Sequence, residues 1–383
     1  MKCRKILLYL ESPFFHFPPS VNAANILSEK GASVYVYYPS EGDVYRHVVR
    51  SDVNLICGRF KTTGVRGVVN YFVSLIRLFL CVRRYKLDLI FSYDAKTVLN
   101  SFVVSKLTGV KWVYQQHDFW ENPLGFWQKL HWKSERLLLK YADFVIFPQQ
   151  DRLDFFTNCT NSKFNSLLIY NGPRLNWQQG EILCHPFMVK LKQKFKHVLI
   201  YQGGVAKEFC LDRIIDVVAK LDSSICLLFL GMPRYPTAVL EYETYIHSMN
   251  LGDRVFFFPE HVEYADLPRF TKFASAAFAI PISPVDVAPF NIRYLIGASN
   301  KITEYVATGI PVFFHSSQAV RNFLINYPIG FENDILDTVS YAKMIHGVLN
   351  DKEILELIRN RNTDIFINSL NFDVQFSELL RLI

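Results

Sequence analysis

Cysteine is sparse in this 383-residue chain, and the seven present (Cys3, Cys57, Cys81, Cys159, Cys184, Cys210 and Cys226) never fall at C-x-x-C or zinc-finger spacing. An odd, scattered set excludes a disulfide framework and a structural zinc site, and reads as the reduced thiols of a cytosolic protein. A long hydrophobic run is missing as well. The nearest approach to a membrane span, Val68 to Val82, is too short and carries Arg77 in its middle. Its polar residues Asn70, Ser74, Arg77, Cys81 and Arg84 form one stripe at helical spacing, which predicts a buried or interfacial helix. No signal peptide is expected, because Lys2, Arg4 and Lys5 run straight into the short strand Ile6 to Leu10. After that strand stands Glu11-Ser12-Pro13-Phe14-Phe15-His16 rather than G-x-G-x-x-G, which argues against a nicotinamide or flavin dehydrogenase. Neither a short internal repeat nor a low-complexity tract is present.

What is there is regular alternation. Half the residues are hydrophobic and 20% are charged, so the chain folds, and its length asks for two or three domains. Strand-like runs at Ile6–Leu10, Val34–Tyr38, Leu87–Ser92, Trp112–Gln115 and Phe144–Phe147 alternate with helix candidates near 22–30, 68–84, 96–107 and 124–141. The second half repeats this with Val198–Tyr201, Ile225–Leu230, Val255–Phe258, Ala277–Ile280 and Val312–Phe314. Repeated β-α-β units imply parallel sheets with ligands at the carboxyl ends of the strands. Tyr170-Asn171-Gly172-Pro173 marks a turn between the halves. The predicted fold class is therefore α/β, two Rossmann-like β/α/β domains facing across a cleft.

Charge is unevenly spread. Residues 1–185 hold 23 Lys and Arg against 14 Asp and Glu, the rest 19 against 21. The basic half should meet something anionic, such as a lipid surface, a lipid-linked phosphate or an acidic substrate. Within it, Lys129, Lys133, Arg136 and Lys140 recur at spacings of 4, 3 and 4, near Trp120, Phe126, Trp127 and Trp132. A basic helix face with aromatic neighbours suits an acceptor site or an anionic membrane, and fits a solvated face equally well. No nucleic-acid recognition motif accompanies these residues.

Three segments carry candidate chemistry. The run Ser299 to Val312 reads as a loop, a short helix capped by Ser299 or Asn300, a stop at Gly309 and a strand after Ile310. Lys301 sits in the first turn, where the helix dipole disfavours a cation by roughly 0.3–1 kcal/mol; a bound anion would reverse that sign. Glu304 lies one turn deeper, with two oxygens that could accept from a vicinal diol. Asn300, Lys301 and Glu304 would thus suit a nucleoside diphosphate and its ribose, although spacing alone also fits a solvated i,i+3 pair. After Val198–Tyr201 comes Gln202-Gly203-Gly204, whose glycines admit a close ligand, with Lys207 and Arg213 as candidate diphosphate cations. A tight turn with surface cations is the other reading. In the first half, Tyr114 to Trp120 ends a strand and opens a loop. There His117 and Asp118 could orient a sugar hydroxyl or stabilise developing charge, or be structural, and Asp94 is a second candidate on the same rim.

Taken together, the two halves, the Gly-Gly loop with its cations, the His-Asp pair and N-K-x-x-E-Y-x-A-x-G-x-P-V resemble a family 4-type glycosyltransferase of the GT-B fold. Tyr201 to Gly204 is similar to that family's diphosphate loop, and Asp266 to Pro281 to the segment leading into its donor pocket. Phe372 to Leu382 is similar to the helix that crosses back onto the first domain. The resemblance implies an acceptor domain at 1–175, a nucleotide-sugar donor domain at 176–365 and a returning helix at 366–383. It also implies that Glu304 contacts the donor ribose, that Lys207 or Arg213 contacts the diphosphate, and that His117 lies near the transferred sugar. Such enzymes typically retain configuration and use no metal or other cofactor. Three positions depart: Ile296 replaces a second glutamate common in the family, Val205 replaces the arginine after the loop glycines, and no glycine follows Lys207. The expected activity is transfer of a hexose from a nucleoside diphosphate sugar to a glycan acceptor, lipid-linked, in surface polysaccharide biosynthesis, by a cytoplasmic enzyme peripheral to the inner face of the membrane. A non-catalytic binding subunit and a nucleotide-sugar epimerase are the rivals.

Overall fold

The computed structural model of the chain describes residues 4–39, 46–58, 64–117, 123, 125–279 and 296–383. It divides into two compact units, Met1–Asn171 with Gln375–Ile383, and Gly172–Val374. The first unit is built on β1 (Lys5–Tyr9), β2 (Ser33–Pro39), β3 (Asn54–Gly58), β4 (Leu89–Tyr93), β5 (Lys111–Gln115), β6 (Phe144–Phe147) and β7 (Ser166–Leu168). These pair in parallel in the order β3-β2-β1-β4-β5-β6-β7. The order reverses between β1 and β4, which marks the ligand-binding edge of such a sheet. Helices α1 (Pro18–Glu29), α2 (Gly64–Tyr85), α3 (Ala95–Thr108), α4 (Gly125–Leu138) and α5 (Gln150–Thr160) make the crossovers. Because β1 to β2 steps one way along the sheet and β3 through β6 steps the other, right-handed crossovers put α2, α3 and α4 on one face. There α3 packs between α2 and α4.

The second unit repeats the plan with β8 (His197–Gln202), β9 (Ile225–Leu230), β10 (Val255–Phe257), β11 (Ala276–Phe278), β12 (Val312–His315) and β13 (Gly330–Asn333). Their order is β10-β9-β8-β11-β12-β13, again parallel, with the reversal between β8 and β11. Around them lie α6 (Pro186–Lys194), α7 (Leu211–Ala219), α8 (Ala238–Ser248), α9 (Pro268–Thr271), α10 (Asn300–Ala307), α11 (Gln318–Asn326), α12 (Thr338–Asn350) and α13 (Lys352–Ile365). Strand β9, Ile-Cys-Leu-Leu-Phe-Leu, is buried at every position because helices cover both faces of the sheet, which is why it reads as an unbroken apolar run. The last helix, α14 (Phe372–Leu382), ends in the first unit, where Phe376 stacks on Phe91 at 6.2 Å between ring centroids.

The central strands and the α/β class match the sequence reading; β3, β7 and β13 were not anticipated. All three are edge strands, short and only partly apolar, so the buried-run signal is weak there. Helix α2 differs in a second way. Ser74 does face inward, donating to buried Glu11 at 2.6 Å, but Arg77 and Arg84 are exposed. The outward face is instead the apolar row Val69, Phe72, Ile76 and Leu80, each 56–59% exposed. No helix among the described residues is long and apolar enough to cross a membrane, and the six cysteines described are free thiols.

Candidate functional site

Strand β8 delivers Tyr201 and Gln202 to the carboxyl edge of the second sheet, and the chain then turns through Gly203, which has φ +149°. The segment after β9 zips onto this turn. Gly203 N–H donates to the Leu230 carbonyl (2.9 Å), Val205 N–H to that of Met232 (3.0 Å) and Arg234 N–H to that of Val205 (3.1 Å). Gly231 must lack a side chain because a methyl there would overlap the Gly203 carbonyl. Docking the two loops carries Arg234 to Gly204 and lays its guanidinium over the Phe209 ring at 4.8 Å.

The second cation comes from α10. Ser299 holds the N-cap position with no side-chain capping bond, and Gly309 follows the helix in the left-handed conformation at φ +76°. Lys301, in the first turn, points at Gly203, where a methyl would overlap its ammonium. That ammonium lies 5.1 Å from the Tyr201 ring centroid and 5.8 Å from that of Phe209. Burial lowers the Lys301 pKa to about 8; Glu304 opposes the shift and Arg234 adds to it. Glu304 is buried one turn on, and loss of solvent raises its pKa to about 7 against the pull of Lys301. Gln202 fixes it, donating from Nε2 to Glu304 at 3.3 Å while its own Oε1 accepts from Thr271 at 2.8 Å. The Tyr264 hydroxyl and the Asn300 side-chain oxygen are buried and have no hydrogen-bond partner among the described residues. Two like charges drawn together beside glycines, with orphaned polar atoms alongside, make an electrostatic arrangement that a diphosphate would relieve.

Not every expected residue joins this cluster. Lys207 is 79% exposed and pairs with Glu241 at 3.4 Å, and Arg213 lies between Asp212 (3.7 Å) and Asp216 (3.6 Å) on α7. Gly203, Gly204, Asn300, Lys301 and Glu304 do come together with Gln202. Arg234 was missed, since it lies 30 residues beyond the Gly-Gly loop in sequence; Gly231 and Pro233 at a strand end were the only signal. Ile296, where a second glutamate was sought, is buried and apolar.

The first unit holds a separate cluster at its own carboxyl edge. His117 follows β5 and is buried; its ring stacks on Phe17 (5.3 Å) and tilts against Tyr93 (5.1 Å). Its backbone N–H donates to Asp94 Oδ1 at 3.0 Å, and its carbonyl accepts from the buried Arg152 at 2.6 Å. Asp94 stands where the strand order reverses and holds φ +65°, a strained conformation for a residue with a side chain, of order 1–3 kcal/mol. Below them, Glu135 accepts from Tyr114 (2.5 Å) and Gln116 (3.2 Å), and burial raises its pKa to about 7. Asp118 lies outside the described residues. On α4, Lys129 and Lys133 are exposed, as is Lys140 just beyond it, whereas Arg136 folds onto the Trp132 ring at 3.6 Å instead of joining their row.

The family model for Glycosyltransferase Family 4 matches residues 21–172. No curated protein sequence matches the chain. Among solved structures, a glycosyltransferase from Rickettsia africae is similar over 100% of this chain and 98% of its own, at 13% identity and a TM-score of 0.80. HepE of Anabaena in complex with UDP-glucose is similar over 99% and 100%, at 16% identity and 0.73. WaaG, a glycosyltransferase involved in lipopolysaccharide biosynthesis, is similar over 97% and 98%, at 14% identity and 0.66. The chain has the GT-B fold of these glycosyltransferases, and its residues 21–172 match the Glycosyltransferase Family 4 model.

Proposed function

We propose that the chain transfers a hexose from a UDP-linked sugar to a glycan acceptor. The observation that carries this reading is the convergence of Lys301 and Arg234 on Gly203 and Gly204, with buried Glu304 one turn deeper. Lys301 and Arg234 hold the diphosphate, and Glu304, fixed by Gln202, accepts from the ribose hydroxyls. When the bond between the anomeric carbon and the diphosphate oxygen breaks, its electron pair goes to the diphosphate, and the two cations stabilise that charge. The acceptor oxygen forms the new bond, and its proton passes to the departing diphosphate. Cations supplied by the protein favour a metal-independent step, and the family resemblance favours retention of configuration. The same resemblance assigns His117 to the transferred sugar, and Asp118 beside it in sequence is proposed to help orient a sugar hydroxyl. UDP is favoured as the carrier because HepE, a structural neighbour, binds UDP-glucose.

The acceptor is proposed to be lipid-linked and part of a surface polysaccharide, with the enzyme peripheral at the inner face of the membrane. The basic first half and the likeness to WaaG support this.

The test is thermal unfolding with UDP, GDP, ADP and CMP, free and sugar-linked, in excess EDTA. A ligand at 100 times its dissociation constant adds about 2.7 kcal/mol. Selective stabilisation by UDP and a UDP-hexose is the expected result. No stabilisation by any nucleotide would refute the donor site. An isomerised nucleotide sugar without acceptor would reveal an epimerase, and tight binding with no transfer to membrane extracts a non-catalytic subunit.

A further inference from the structure

The outer face of α2, α3 and α4 takes no part in the clusters described above, yet its composition is extreme. These three helices contain Arg77, Arg83, Arg84, Lys96, Lys106, Lys129, Lys133 and Arg136 among their described side chains, against a single carboxylate, Glu135, which is buried beneath α4. All three lie on one face of the first unit's sheet, with α3 in contact with both others. The outward row of α2 is Val69, Phe72, Ile76 and Leu80, diametrically opposite the buried Ser74, Leu78 and Val82. That of α4 is Phe126, Lys129, Lys133 and Leu137, at the same spacing and opposite the buried Glu135. Phe126 and Leu137 are 72% and 64% exposed, and Leu107 at the end of α3 is 69% exposed. Lys106, Arg83, Arg84 and Lys140 rim these rows.

We propose that this face docks on an anionic lipid bilayer. The α2 row enters the interfacial layer, and Lys129, Lys133 and Lys140 meet the headgroups. A second copy of the chain fits poorly, because a two-fold contact would set these basic helices, which carry no exposed carboxylate, against themselves. A bilayer supplies both parts of the complement at once, an apolar layer and a continuous negative surface, and basic amphipathic helices bind there on those terms. This inference rests on the lipid-proximal part of the function proposed above and is independent of the donor chemistry.

Vesicle co-sedimentation of the full chain tests it, using phosphatidylcholine vesicles with and without phosphatidylglycerol. Binding is expected only with the anionic lipid and should weaken with salt. Lys129→Gln with Lys133→Gln and Lys140→Gln should lower the partition roughly fivefold per charge, about 100-fold together. Ile76→Gln with Leu80→Gln should lower it on the order of 10-fold, at unchanged melting temperature because both side chains are exposed. The Ile76 and Leu80 variant should keep the parent's UDP-glucose affinity, which separates failure of the membrane face from failure of the donor site. No sedimentation with anionic vesicles at low salt, or equal sedimentation of parent and both variants, overturns the proposal. So does concentration-dependent dimerisation that the Ile76 and Leu80 variant abolishes while vesicle binding is absent.

Discussion

Replacing Lys301 by methionine keeps the length and polarisability of the side chain and removes its charge. In the free protein the change should be mild. The ammonium lies over the Tyr201 and Phe209 rings at 5.1 and 5.8 Å, a contact of about 0.5–1 kcal/mol that a thioether largely replaces. Glu304 loses its positive neighbour, but its pKa is already near 7, so it takes up a proton instead of remaining as an unpaired buried charge. The complex should suffer far more. A hydrogen bond to a charged group contributes roughly 1.5–3 kcal/mol, so UDP-glucose should bind about 10- to 100-fold more weakly. At a ligand concentration giving the parent about 2.7 kcal/mol of added stability, the variant should gain only about 0.4 to 1.4 kcal/mol. Titration calorimetry and ligand-dependent melting in EDTA read the two quantities independently. Equal UDP-glucose affinity in parent and variant would refute the placement of the diphosphate at Gly203.

Three further outcomes are expected. Arg234 also reaches Glu208 at 3.8 Å but lies against Gly204, so Arg234→Met should weaken UDP-glucose about 10-fold or more, whereas Lys207→Met and Arg213→Met, whose cations pair with surface carboxylates and are not among the atoms nearest Gly203 and Gly204, should leave it within about twofold; the reverse ranking in calorimetry would restore the loop cations. Gly203→Ala should displace Lys301 and force a side chain onto φ +149°, so nucleotide binding should fall and the melting temperature drop; an alanine variant with parental affinity would contradict the close approach. Affinity for UDP-glucose should be highest between about pH 7 and 8, rising as Glu304 ionises to accept from the ribose and falling as Lys301 loses its proton. Because the Glu304 pKa is raised by folding, its contribution to the stability of the free protein is fullest below the ordinary carboxylate range and is lost as pH rises through about 7. Glu304→Gln should erase the acid limb of the affinity profile; an unchanged limb in that variant would assign it to another group.

Local pattern determined much of this protein. Strands buried on both faces announce themselves as unbroken apolar runs, so β1, β8 and β9 were legible, and with them the α/β class. The helix from Asn300 to Ala307 was legible too, because its glycine stop and its Lys301 and Glu304 pair lie within one short stretch. Edge strands β3, β7 and β13 escaped, since pairing on one side only lets their residues be polar. The second cation was decided by tertiary structure alone. Residues of opposite loops meet only when parallel strands set their carboxyl ends side by side, and that pairing brings Arg234 to Gly204 across 30 residues of sequence. The surroundings of Lys207 and Arg213 were equally invisible, because a cation near a glycine loop in sequence says nothing about which carboxylate lies nearer in space. The outward apolar row of α2 had the same origin. Helical periodicity separates two faces of a helix, but only packing against Glu11 through Ser74 decides which one turns inward.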